Sequence, residues 1–236
     1  MTINGVNIST WNAKQRTISI NNHHKLTSDS EWIPGASVPY LSDLYVVMKQ
    51  FVVTLWVYGN GRNEITKNCS DLISQLLKPV TLVFDKYPYK FQGTLDNLKQ
   101  TETSPQRWHT LELTFVGYLF GDDVAVSGYG SLTVQNPGNI VSPAVIEITP
   151  RVSASNVGLT GVCRDSFTGL DLPVTIPEVT AAKTIRIDTL TGLVTEDGLP
   201  KEVEMWQMPS LTPGENEIIC DNDQMGITVT VRPIYM

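Results

Sequence analysis

The sequence predicts a mainly β protein in two domains, the first with one α-helix and the second a sandwich or jelly-roll. Three observations predict it. Near the C-terminus, runs rich in Ile, Val and Thr (Lys183 to Gly198, Leu211 to Ile218, Gly226 to Tyr235) are punctuated by Thr191-Gly192, Asp197-Gly198 and Pro213-Gly214. Those dipeptides supply the positive φ values of tight reversals, so the runs read as consecutive short antiparallel strands. A single stretch, Ile65 to Leu77, repeats its apolar residues at steps of three and four. Between these regions, Gly121 to Gly130 gathers two acids, three glycines and a serine, which marks a boundary. The domains are expected over residues 1–128 and 129–236.

Length and charge fit that division. A chain of 236 residues suits two ordinary domains. Its 41% hydrophobic and 17% charged content argues for packed cores over disorder. Residues 1–128 balance their charges, and residues 129–236 carry the whole net charge of −7. No basic footprint for gripping nucleic acid is present. A neutral first half suits packing against neighbours. Three cysteines, Cys69, Cys163 and Cys220, are too few for a disulfide framework, so a reducing compartment is expected. The apolar stretch Tyr45 to Tyr58 is interrupted by Lys49, Gln50 and Thr54, so no membrane span is expected.

Taken in order, the chain opens on short β pieces, Thr2 to Ser9 and Arg16 to Asn21, with Asn4-Gly5 as a turn. Residues 22–43 are polar and broken by Pro34, Gly35 and Pro39. A long irregular segment of this kind is expected to bind something, here as an arm that a neighbouring chain covers. Leu44 to Tyr58 is apolar at odd and at most even positions, predicting a strand buried on both faces or an oligomer seam. The helix follows, with Asn63 as its expected cap and Pro79 as its stop. Val80 to Phe84 and Tyr89 to Leu98 are strands around a reversal at Asp85 to Pro88. Arg107 to Phe120 alternates, with His109, Leu111, Leu113 and Phe115 on the inner face. Beyond residue 128 the prolines become frequent, nine of fourteen, which means short strands and many turns. Strands are expected at Pro143 to Thr149, Ser155 to Val162, Asp171 to Ile176, Lys201 to Met205, Asn216 to Cys220 and Ile227 to Val231, besides the Lys183 to Gly198 run.

No catalytic, cofactor or metal site emerges. Adjacent His23 and His24 in an extended segment point to opposite sides and have no third ligand spaced to help. His109 falls on an apolar face and reads as a core histidine. Asp221 to Gly226 begins like a calcium loop, but Met225 offers no oxygen and the twelfth position is Arg232. It reads as a turn. Glu202 and Glu204 share a strand face and read as a solvated edge rather than a catalytic pair. Trp206 is the one tryptophan of the second half. A core or loop-anchoring role is preferred for it over a stacking platform for sugar.

The order of these pieces resembles the distal tail proteins (Dit) of long, non-contractile-tailed phages and prophages. In the first half the similar elements are Ile3 to Gly5, the helix Asn63 to Leu77, Phe84 to Asp96 and Thr114 to Asp122. In the second they are Val134 to Ile148, Ile185 to Gly198, Met208 to Ile218 and a final strand. The resemblance implies an N-terminal β-sandwich that builds a hexameric ring through its helix and an extended hairpin or arm. It implies a galectin-like C-terminal domain that projects outward. The ring would join the tail tube to the tail-tip hub or fibre protein and anchor receptor-binding proteins, with DNA only transiting its lumen. The site would be the virion tail tip, after synthesis in the cytoplasm of the bacterial host, with no enzymatic activity and no cofactor. The competing reading is a lectin-like module that recognises host cell-wall sugars.

Overall fold

The computed structural model describes residues 1–21, 27–31, 40–45, 48–104, 106–164 and 169–235; for 27–31 and 40–45 it describes the backbone alone. The chain divides into two compact units, Met1–Leu119 and Phe120–Met236. The boundary expected after residue 128 falls inside a strand of the second unit, as described below.

The first unit opens with β1 (Thr2–Ile3) and β2 (Val6–Asn7), turned by Asn4-Gly5, and a short 3-10 turn at Ile8–Trp11. Then come β3 (Ala13–Asn21), the antiparallel pair β4 (Thr27–Glu31) and β5 (Tyr40–Tyr45), and β6 (Lys49–Tyr58). The helix α1 (Arg62–Ser74) leads to β7 (Val80–Val83), β8 (Lys90–Ser104) and β9 (Trp108–Phe120). Most of the expected arm, with His23, His24 and Trp32, lies outside the described residues.

The sheet runs β2-β1-β7-β8-β9-β6-β3. It rolls on itself. Phe51 of β6 stacks on Phe84, just past β7, with ring centroids 6.4 Å apart, although β8 and β9 separate those strands in the sheet. Phe91 of β8 fills the space between, 4.3 Å from Phe51. The inner face is dry: Phe51, Val53, Leu55 and Val57 of β6 face Leu111, Leu113 and Phe115 of β9, all fully buried. Such alternation of buried and half-exposed residues follows from the two-residue period of a strand.

The helix adds Ile65, Cys69 and Leu72 to this core. Its cap differs from the sequence expectation. Gly61, at φ +118°, precedes the first turn and supplies no side chain, and Asn63 lies within the helix. The Glu64 carboxylate instead reaches back past the cap and accepts the Asn60 amide at 2.8 Å, which ties the incoming loop to the first turn. Leu77 falls beyond the helix and is exposed.

The second unit holds β10 (Val124–Tyr129), β11 (Ser131–Asn136), β12 (Ser142–Pro150), β13 (Ala154–Thr160), β14 (Val174–Val179), β15 (Ile185–Asp188), β16 (Leu193–Glu196), β17 (Leu199–Pro200), β18 (Ser210–Leu211), β19 (Gly214–Cys220) and β20 (Met225–Val231). One sheet runs β10-β20-β12-β15-β16-β17, with β18 beside β12. The other runs β11-β19-β13-β14. Their inner faces share one core that includes Val134, Ile146, Leu159, Ile176, Ile187, Ile218 and Val229. This is a two-sheet sandwich.

The segment expected to mark the domain boundary contains the edge strand β10, paired with β20 from Val124↔Val231 to Tyr129↔Gly226. Val124 and Val126 pack on the core while Ala125 and Ser127 face out. Its glycines and acids had masked that alternation. The three C-terminal runs are also not consecutive neighbours. The Asp197-Gly198 turn does join β16 to β17 as a two-residue hairpin, with φ +47° and +83°. But β19 crosses to the other sheet, and β20 returns to lie between β10 and β12. Lys201 to Met205, expected to be a strand, makes only a single bridge, Glu204 to Thr175.

Candidate assembly faces

The residues singled out for chemistry do not converge. His109 is buried on β9; the Gln100 side-chain amide lies 3.0 Å from its Nδ1, and its Nε2 has no hydrogen-bond partner. No carboxylate orients this imidazole among the described contacts, so it lacks the partner a general base needs. Asp221 to Gly226 forms a turn. The Asn222 side chain accepts the Gln224 amide, Asp221 accepts the Gly158 amide, and Met225 is fully buried. Among the described residues, no three or more His, Cys, Asp or Glu side chains gather in a way that could hold a metal. No helix among them is long and apolar enough to cross a membrane. The three cysteines are free and buried, and burial pushes the Cys69 thiol up to about 11.

Two of the exposed sheet faces differ in kind. On the first unit, the outward residues of β6 and β9 pair across the strands: Val52 with Thr114, Thr54 with Glu112, Trp56 with Thr110, Tyr58 with Trp108. None is buried, and one, Glu112, is charged. Trp56, Tyr58 and Trp108 form an aromatic cluster with centroids 6.2 to 6.4 Å apart. The Arg16 guanidinium of β3 lies over Trp56 at 4.3 Å. Expectation had this strand buried on both faces or at an oligomer seam. Within the chain only the odd-numbered face is.

On the second unit, the outward face of β12, β15 and β20 carries a charge network around a shallow cleft of about 170 Å³. Arg186 donates to Glu147 at 2.7 Å and to Asp188 at 3.1 Å. Arg232 holds Asp123 through two bonds of 2.8 and 3.0 Å. Burial opposes ionisation of Asp188. The bonds from Arg186 and from the Thr191 and Leu190 amides outweigh it and hold the carboxyl below its usual range. Each of these side chains has a partner of opposite sign, so the face is satisfied in water.

Sequence reasoning misjudged one residue. Trp206 is 88% exposed, neither in the core nor anchoring its loop inward. Its flanking residues do that work, a distinction that an alternation broken by Pro and Gln could not reveal.

No protein-family model matches the sequence, and no curated sequence matches it significantly. Solved structures do match in fold. The SPP1 Dit (gp 19.1) protein, described as a paradigm of the hub adsorption apparatus in phages infecting Gram-positive bacteria, superposes with a TM-score of 0.72 at 13% identity. That match covers 99% of this chain and 98% of the other. Chains of the phage P2 baseplate in its activated conformation, with Ca and with Sr, give TM-scores of 0.52 and 0.53 at 10% and 12% identity. They cover 96% and 95% of this chain, and 92% and 91% of theirs. Through both of its units, then, this chain has the fold of the phage SPP1 Dit protein.

Proposed function

We propose that this chain is a structural protein of a phage tail tip, a distal tail protein. It assembles as a ring, of six copies by analogy with that family, and joins the tail tube to the hub that carries host-adsorption proteins. The observation that carries this reading is the full-length match of fold to SPP1 Dit, with both units in the same order. A single shared sandwich would say little, because sandwiches host many functions. Two unlike units in succession, matched over almost the whole of both chains, say more.

The physical character of the units supports the reading. A ring needs a protomer face with little charge, and the β6–β9 face supplies one. Residues 1–128 are assigned the contacts between copies, and the second unit is assigned the outward role. DNA would pass without being gripped, in keeping with the balanced charge of residues 1–128. The chain would be made in the host cytoplasm and would act by geometry, without turnover of a substrate.

Negative-stain images of the purified full chain test this. Rings of six-fold symmetry are expected. A chain that stays monomeric at high concentration, and binds neither a tail tube nor a hub protein, would overturn it.

A further inference from the structure

The loop that displays Trp206 is tied down on both sides of the indole. At Glu204 the chain forms a reciprocal bridge with Thr175 on the open edge of β14: the Glu204 amide donates to the Thr175 carbonyl at 2.8 Å, and the Thr175 amide donates back at 2.9 Å. At Ser210 the amide donates to the Val162 carbonyl at 2.8 Å. Between these ties, the Gln207 side chain donates to Cys163 Sγ at 2.8 Å and to the Arg164 carbonyl at 3.0 Å. Val203, Met205 and Met208 all pack against the sandwich core. Every apolar neighbour in the loop is turned inward, and the largest residue is turned out.

That arrangement is costly for a solvated surface. Trp206 is the most exposed of the large apolar side chains among the described residues, and a looser loop would let it fold back onto the methionines. A tied backbone presenting one bare indole is instead pre-organised for contact. Beside the ring lies an open cleft of about 450 Å³, lined by Pro173, Thr175, Val203, Glu204 and Met205. It offers a flat aromatic face, one carboxylate and one hydroxyl, with no Lys or Arg.

We propose that Trp206 and its cleft are a binding site for an uncharged sugar, with the C–H face of a pyranose stacked on the indole and its hydroxyls donating to Glu204. The chemistry selects this class. The indole is apolar on its face, and the acceptor-rich rim suits donors arranged around a ring. An anionic saccharide would meet Glu204 in a half-chain whose net charge is −7. A quaternary ammonium is met by several aromatic walls, and this cleft has one. The site stands whether the chain is a ring or a monomer.

Calorimetric titration of the full chain tests it, with cellotetraose and chitotetraose as neutral probes, tetragalacturonate as the anionic probe and choline as the cationic one. Binding of a neutral tetrasaccharide is expected. Trp206→Ala should weaken it about tenfold or more, Trp206→Phe less, and Glu204→Gln by a few-fold. Melting temperatures should match the parent chain, since the indole supports no core. The proposal fails if neither neutral probe binds at about 10 mM, a concentration that detects even millimolar affinity. It fails equally if Trp206→Ala binds like the parent chain, or if tetragalacturonate or choline binds more tightly than both neutral probes.

Discussion

The outward face of β6 and β9 and the outward face of β12, β15 and β20 occupy similar places on their sheets and are built from different chemistry. The first presents Val52, Thr54, Trp56, Tyr58, Trp108, Thr110 and Thr114 around one carboxylate, Glu112, and the Arg16 guanidinium over Trp56. The second presents two arginines and three carboxylates already joined to one another. Hydrogen-bonded ion pairs are at ease in water and lose when a partner strips that water away. Threonine, valine and indole lose little on being covered and gain apolar burial. On the proposed function, the contrast separates the face that another copy would cover from the face that would stay wet.

A charge placed on each face breaks or sharpens that contrast most strongly. Thr114→Lys puts an ammonium in the middle of the sparsely charged face, opposite Val52. If that face is covered in the ring, burying an added ammonium, with Glu112 as the one carboxylate beside it on the strand, should cost about a hundredfold or more in association. The full chain should then run as a monomer in light scattering. Thr230→Lys, on the charged face of β20, should leave the assembly mass unchanged. The opposite pattern, dispersal by Thr230→Lys alone, would assign the contacts to the wrong unit.

The fold and these faces were not equally legible in the sequence. The alternation of β9 and the apolar odd positions of β6 announced the core, because a dry inner face demands an unbroken period of two. The Asp197-Gly198 turn was equally plain, because few other dipeptides take two successive positive φ values. What local pattern could not convey was pairing. β19 and β20 look alike in composition but enter different sheets, and nothing within either strand records its partner. The β10 edge was hidden in the boundary segment because an edge strand tolerates the Ser127 and Gly128 that a central one excludes. Trp206 was misread for a related reason: its exposure depends on the bridge from Glu204 to β14, a contact with a distant segment.

Next in size come glycines at which one backbone presses on another. In the first unit, a Cβ at Gly117 would collide with the Gln92 carbonyl. In the second, a Cβ at Gly161 would collide with the Glu217 carbonyl, and φ is +77°. Gly214, at φ +89°, has open space around it. Gly117→Ala and Gly161→Ala should each cost about 3 kcal/mol, from overpacking and, at Gly161, from strain as well. Gly214→Ala should cost about 1 kcal/mol, from the φ alone. Denaturant unfolding of the three variants checks the order. Equal losses at Gly161 and Gly214 would mean that the close approach at Gly161 contributes nothing.

The smallest effect belongs to the wet face, and pH reads it. The Asp188 carboxyl is held below its usual range in the folded chain, with Arg186 and two hairpin amides as its donors. A carboxyl depressed by folding contributes stability that is fully present above its unfolded value, about 3.9, and is lost as pH falls through the folded value. Arg186 is 45% exposed, so solvent screens the pair and its contribution should stay under about 1 kcal/mol. Arg186→Gln should therefore melt slightly below the parent chain at neutral pH, by a gap that is flat down to about pH 5 and closes below about pH 4. Added salt should narrow the gap as well, since an exposed pair is screened. A gap that stays unchanged as the pH is lowered through the carboxylate range would assign the loss to the packing of the Arg186 stem on the sheet instead of to the ion pair.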